Sequence, residues 1–218
     1  MKINHHADDA TIMAYAAGTV SEGFSLVLTA HMELCSHCRE RMSLASDLGG
    51  ELLSELESAP MSQEGLSNVL SAIDADTLDP VTPFKSPSVS GEMASILSAY
   101  VPHGLDEPPW QSLMPGVRQY QLAGIESGNG SVRLLSISPG IRIPHHTHMG
   151  GELTLVIEGA YEDEIGHFKA GDLADLDASC NHQPIAVGNK PCICLIATDD
   201  KLRFTGLLSR MVQPLIGI

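Results

Sequence analysis

Between residues 8 and 76 apolar side chains return every three or four positions, the period of helices with one buried face. Asp8 or Asp9 is placed to cap a first helix carrying Ile12, Tyr15 and Ala16, which Gly18 ends. Ser21 opens a second, in which Phe24, Val27, Leu28 and His31 share a face up to about Met32. A third is expected from about Cys35 to Leu56, weakened at Gly49-Gly50. A fourth starts at Ser62 with Leu66, Val69, Leu70 and Ile73 aligned. Four short helices enclose a small core, and a unit of this size commonly depends on a metal or a partner.

Residues 76–90 break the pattern with three prolines and a run of serines and threonines, which reads as a linker. A short helix-like piece over residues 92–100 closes it. From about Trp110 the pattern changes to apolar–polar alternation. Strands are expected over residues 117–122, 132–137, 153–158, 172–176 and 192–198, separated by turns at 127–130, 139–140 and 188–189. Regular short strands with Gly, Pro and Asn turns point to a β-sandwich or barrel. The chain therefore divides into a helical domain (1–78), a linker (79–95) and a β domain (96–218), an α + β two-domain architecture.

Charge sharpens the first domain. Residues 1–80 hold three Lys and Arg against thirteen Asp and Glu, a net −10 out of the −15 carried by all 218 residues. Such a surface repels phosphate, so direct nucleic-acid binding is not expected; a basic protein partner suits it. The five cysteines are odd in number and fall mostly in close pairs, with no signal-peptide run at Met1–His6 and no apolar stretch of membrane-spanning length. That combination reads as a cytoplasmic chain in which paired cysteines mean metal or redox chemistry.

Two clusters carry that chemistry. His146, His148 and Glu152 stand at even spacing within residues 140–159, so on a strand they face one way, while His145 faces the other. Joined by a histidine from another strand, with His182 the candidate, they form a divalent-metal site. The second cluster is His31-x3-Cys35-x2-Cys38, whose spacing places three donors on one helical face and His37 off it. Two thiolates and an imidazole favour Zn²⁺ and want a fourth ligand, for which His5 or His6 is available.

These motifs carry a resemblance. His5-His6, a helix ending in Ala-Ala-Gly-Thr and then His31-x3-Cys35-x2-Cys38 look like the zinc-binding anti-sigma domain of bacteria. Gly140, His146, His148, Glu152 and Gly159 fit the first cupin signature at every spacing, and Gly171 and His182 fit part of the second, whose P-x-G step is absent. The tandem resembles the ChrR-type anti-sigma factors over nearly the whole chain.

The resemblance implies a small zinc-bound helical bundle followed by a cupin, a double-stranded β-helix or jelly-roll-like barrel. It implies Zn²⁺ held by His6, His31, Cys35 and Cys38, and Zn²⁺ or another divalent metal held by His146, His148, Glu152 and His182. It implies no enzyme, but an inhibitor that binds an extracytoplasmic-function sigma factor one-to-one and releases it when the cupin meets singlet oxygen or organic hydroperoxides. Cys180, of the same parity as His182, and Met149, beside the ligands, are the oxidisable groups nearest the second metal. Cys192 and Cys194 read as small buried residues, His103 and His167 as surface or packing residues, and Trp110 as an apolar anchor at the barrel entrance. A metal-dependent cupin dioxygenase or isomerase with a helical appendage is the rival reading. A DNA-contacting regulator is poorly served by three cationic residues in the helical domain.

Overall fold

The computed structural model describes residues 2–75, 95–101, 108–125, 129–200 and 202–204. The linker expected over 79–95 lies outside the described residues as far as 94, as does His103. Four helices come first: α1 (Asp9–Ala16), α2 (Glu22–Leu34), α3 (Ser36–Ser54) and α4 (Gly65–Ala75). Asp8 caps α1 by accepting from Thr11 N, and Ser21 caps α2 by accepting from Phe24 N. Gly18, with φ +67°, turns the chain between them. The piece expected over 92–100 contains a 3₁₀ turn, Ser95–Ala99.

One expectation is corrected here. His31, Cys35 and Cys38 do not share a single helix: His31 lies in the last turn of α2, Cys38 in the first turn of α3, and Cys35 is the extended residue between them, φ −111° and ψ 105°. The Cys35 sulfur accepts from Cys38 N and so caps α3, a local bond that competes with helix continuation.

The β region contains β1 (Gln111–Met114), β2 (Val117–Gln121), β3 (Ser131–Ile137), β4 (His146–His148), β5 (Glu152–Glu158) and β6 (Ala160–Glu162). It continues through β7 (His167–Lys169), β8 (Leu173–Leu176), β9 (Asn181–His182), β10 (Ile185–Val187), β11 (Cys192–Thr198) and β12 (Leu202–Phe204). One antiparallel sheet runs β1-β2-β3-β11-β5-β8; two three-stranded sheets run β10-β6-β7 and β12-β4-β9.

Residues directly opposite in an antiparallel pair share a face, so register sorts the side chains. Leu135, Cys194 and Val156 stand in line on one face of the large sheet, as do Ser131, Thr198, Glu152 and Leu176. That face is the barrel interior, filled lower down by Val117, Ile137, Val156, Tyr161, Phe168 and Cys192. The other face presents Leu134, Leu195, Leu155 and Leu173 in register, and these join Phe24, Leu26, Val27, Leu28 and Ala30 of α2 in a single apolar core. The helical region therefore has no separate core, because α2 is packed on the barrel wall. Each such leucine or valine, fully withdrawn from water, contributes about 1.5–3 kcal/mol.

Gly159, at φ +72°, closes the turn between β5 and β6, and a Cβ there would fall 2.4 Å from Pro191 O. Gly159→Ala is expected to destabilise the chain by on the order of 3 kcal/mol through backbone strain and collision with a backbone oxygen that cannot move aside. Calorimetry would register this as a lowered thermal midpoint; an unchanged midpoint would contradict it.

Candidate metal centres

The first centre forms where α2 ends and α3 begins. His6, His31, Cys35 and Cys38 each offer one donor atom, all within 4.8 Å of one another. His6 Nδ1 lies 3.2 Å from Cys35 Sγ and 3.7 Å from Cys38 Sγ, and His31 Nε2 lies 3.3 Å from Cys38 Sγ. His6 points into the cluster, whereas the His5 ring packs on Phe168 at 4.3 Å. His37 stands beside His6, ring centroids 4.6 Å apart, and is outside the cluster.

The other nitrogen of His31 explains its orientation. Nδ1 is 3.1 Å from Gly171 O, and a carbonyl can only accept, so Nδ1 carries the proton and Nε2 presents a bare lone pair to the cluster. Burial, with the charge of His6 second, lowers the His31 pKa to about 4, so the ring is a neutral ligand at neutral pH. Burial and then Cys35 push the Cys38 thiol up to about 11, so a proton stays on sulfur unless a cation displaces it. Two sulfurs and two imidazoles in a closed, buried set have the composition of a structural zinc site.

The second centre lies in the barrel. β4 pairs with β9 so that His146 faces His182, and His148, two residues on, points the same way. His182 Nε2 is 3.1 Å from His146 Nε2 and 3.3 Å from His148 Nε2. The outward nitrogens are held: His146 Nδ1 donates to Pro144 O at 2.9 Å and His182 Nδ1 to Asp163 Oδ2 at 2.8 Å. With the protons on Nδ1, two bare lone pairs face each other across 3.1 Å, which is repulsive unless a cation lies between them. The donor set therefore fits a divalent metal. Burial lowers the pKa of His146 and of His148 to about 4, keeping both neutral.

Glu152, expected as a ligand, is placed beside the triad. Its Oε2 is 3.4 Å from His148 Nδ1, an atom with no hydrogen bond among the described residues, and its Oε1 accepts from Thr154. The converging donors are the three histidines. His145 is half exposed, 3.7 Å from Glu164. Met149 is 52% exposed and Cys180 half-buried, while Cys192 and Cys194 are buried with sulfurs 3.5 Å apart. His167 is exposed, and Trp110 is half-buried beneath the Arg118 guanidinium.

Two interior residues went unnoticed in the sequence. Asp163 has its carboxyl fully buried; burial alone would raise its pKa, but His182 and the N–H groups of Ile165 and Gly166 hold it below the usual range. Its Asp-x-x-Gly turn between β6 and β7 was legible, but its bond to a histidine nineteen residues on was not. Arg133, on the interior face of β3, donates to Ser131 and Gln119; burial lowers its pKa and the nearby Glu152 opposes that. Nothing in the alternation marked it.

Residues 102–201 match the family described as ChrR Cupin-like domain. A curated relative, the anti-sigma-E factor ChrR of Cereibacter sphaeroides, is 40% identical over 218 residues, all of this chain and all of the relative. The chain belongs to the ChrR family. The crystal structure of Rhodobacter sphaeroides SigE in complex with the anti-sigma ChrR superposes with a TM-score of 0.74 at 39% identity, covering 90% of this chain and 99% of the other. The cupin match encloses all three barrel histidines and Gly171, and the full-length ChrR likeness extends through the His/Cys cluster of the helices. No helix among the described residues is long and apolar enough to cross a membrane.

Proposed function

We propose that this chain is a cytoplasmic anti-sigma factor that captures an extracytoplasmic-function sigma factor one-to-one and holds it from core polymerase. The rival expectation of a cupin enzyme gives way to full-length likeness to a regulator. The observation that carries the reading is an apolar surface left uncovered on an acidic helical region. Leu44, Leu48 and Leu52 are exposed on α3, and α4 buries none of its residues, with Leu66, Val69, Leu70 and Ile73 all more than half exposed. Large apolar side chains left exposed in rows along a helix mark a protein interface. The surrounding −10 charge of residues 1–80 suits a partner whose own surfaces bind nucleic acid.

His6, His31, Cys35 and Cys38 hold a structural Zn²⁺ that fixes α1, α2 and α3 as one platform for that surface. His146, His148 and His182 would hold a second divalent metal, Zn²⁺ by resemblance, with Glu152 beside them as a further candidate ligand. A divalent metal held there would be bound by the facing imidazole lone pairs and would supply Lewis-acid or redox chemistry. The chain's residues orient it through Asp163 and Pro144 and exclude bulk water. The domains divide as 1–78, 79–95 and 96–218, with capture in the first and sensing of singlet oxygen or organic hydroperoxides in the last. Met149, next to His148 and more than half exposed, is open to such species; the Cys180 thiol, pushed up by burial and then Asp163, stays protonated and reacts slowly.

Co-expression with an extracytoplasmic-function sigma factor of the same genome should yield a one-to-one complex on purification. Val69→Lys with Ile73→Lys is expected to weaken it roughly 100-fold, as loss of a central apolar anchor does. A complex of undiminished affinity would remove α4 from the interface, and failure of every sigma factor of the class to bind would overturn the reading.

A further inference from the structure

The helical metal centre is finished by the barrel. Its buried ligand His31 is oriented by Gly171 O, 140 residues away, in the turn that leads into β8. The next residue, Asp172, is fully buried: Oδ1 accepts from Asn4 N at 2.7 Å and His5 N at 3.2 Å, and Oδ2 from Lys169 N at 3.0 Å. Leu173 N donates to His5 O at 3.2 Å, so residues 4–5 run along the free edge of β8 and set the position of His6. Asp175 Oδ2 adds a bond to Asp8 N at 3.0 Å. Both histidine ligands of the first centre are thus aimed by one turn of the other domain.

That turn is also wired to the second centre. Gly171 N donates to Val156 O at 2.8 Å and Val156 N to Asp172 O at 3.0 Å, locking it to β5. Four residues up β5, about 13 Å along an extended strand, stands Glu152 beside His148. A packed strand transmits displacement because its neighbours leave it no slack.

We propose that Asp172, with the Gly171 carbonyl, is a positioning element of the helical metal site, through which the state of the barrel centre sets how tightly that site holds its metal. The proposal deepens the anti-sigma reading by naming how the sensing end reaches the capturing end, and rests on that reading only for its output.

The test uses the full chain loaded with Co²⁺. Thiolate-to-cobalt absorption reports the helical centre alone, since the barrel triad has no sulfur. On addition of a chelator, Asp172→Ala should speed loss of that absorption between about 10- and 100-fold, the range for removal of a residue that orients ligands. Asp172→Asn, which keeps an acceptor for Asn4 and His5, should fall between it and the parent and covers the case in which the alanine variant does not fold. His146→Ala with His148→Ala, which dismantles the barrel triad, should also speed loss of the thiolate band. Parent-like rates in both Asp172 variants, or in the barrel variant, would overturn the proposal. Sigma-factor binding on the same samples separates the two ideas: linked release without binding refutes the anti-sigma reading alone, and binding without linked release refutes the link alone.

Discussion

A chain carrying Cys35→Ser and Cys38→Ser is expected to lose one equivalent of metal and at least about 100-fold in affinity for its sigma factor. Binding energy at a structural zinc site is folding energy, on the order of 10–16 kcal/mol for small zinc modules. Here it joins three pieces of chain at one point. The N-terminal segment reaches the cluster through His6, α2 through His31, and α3 through Cys35 and Cys38. Two hydroxyls cannot replace thiolates as soft ligands. The damage has a boundary, because Val27 and Leu28 stay packed on the barrel and should hold α2 in place. Far-ultraviolet circular dichroism should thus change little while metal analysis and titration calorimetry change sharply. Tight binding with one metal missing would refute the scaffold role.

The second large effect belongs to His182. His182→Ala removes the imidazole that approaches both other barrel histidines, at 3.1 and 3.3 Å. It also abandons Asp163, whose fully buried carboxyl gives one oxygen to His182. Removing the donor from a buried carboxylate oxygen costs about 1–3 kcal/mol because that oxygen is left without a partner. The variant should lose the barrel metal, melt at lower temperature and, until a chelator strips the helical centre, still capture the sigma factor, since α4 and the four helical ligands themselves are unchanged. In cells, the expected phenotype is a sigma factor that oxidants no longer release. Asp163→Asn in the same background removes the stranded charge, so it should recover part of the stability and none of the metal. If it recovers nothing, the buried carboxylate is not the source of the cost.

What the sequence disclosed follows from the range over which each signal acts. The pattern located five of the six strands of four or more residues, missing β1, and 192–198 coincides with β11, because the period of a strand is local. Strands of two or three residues, such as β4, β9 and β12, are too short for a period. The facing of His146 and His148 was legible through parity, and their convergence with His182 through the spacing of a family motif. The break at Cys35 was not: helical spacing places three donors on one face whether or not a sulfur caps the second helix. Glu152 shares the parity of the triad yet stands behind His148, since parity fixes a face and leaves the carboxylate's rotation open. The shared core left one overlooked sign. Leu26-Val27-Leu28 is apolar on consecutive positions, so α2 had to be covered on more than one side. Asp163, Asp172 and Gly171 act through bonds to residues 19 to 168 positions away, and no local pattern announces them.

The bond from His31 to Gly171 also sets an order of events at the ribosome. The cysteines and histidines of the helical centre are synthesised first, but the carbonyl that orients His31 follows 140 residues later. At 5–20 residues per second that interval is roughly 7–28 s. Through it α2 has no wall to pack against, since β11 and β5 are its floor. The helices of a nascent chain therefore gain their final packing only once the barrel has closed. A truncated product would carry the capturing residues without the barrel wall on which α2 packs.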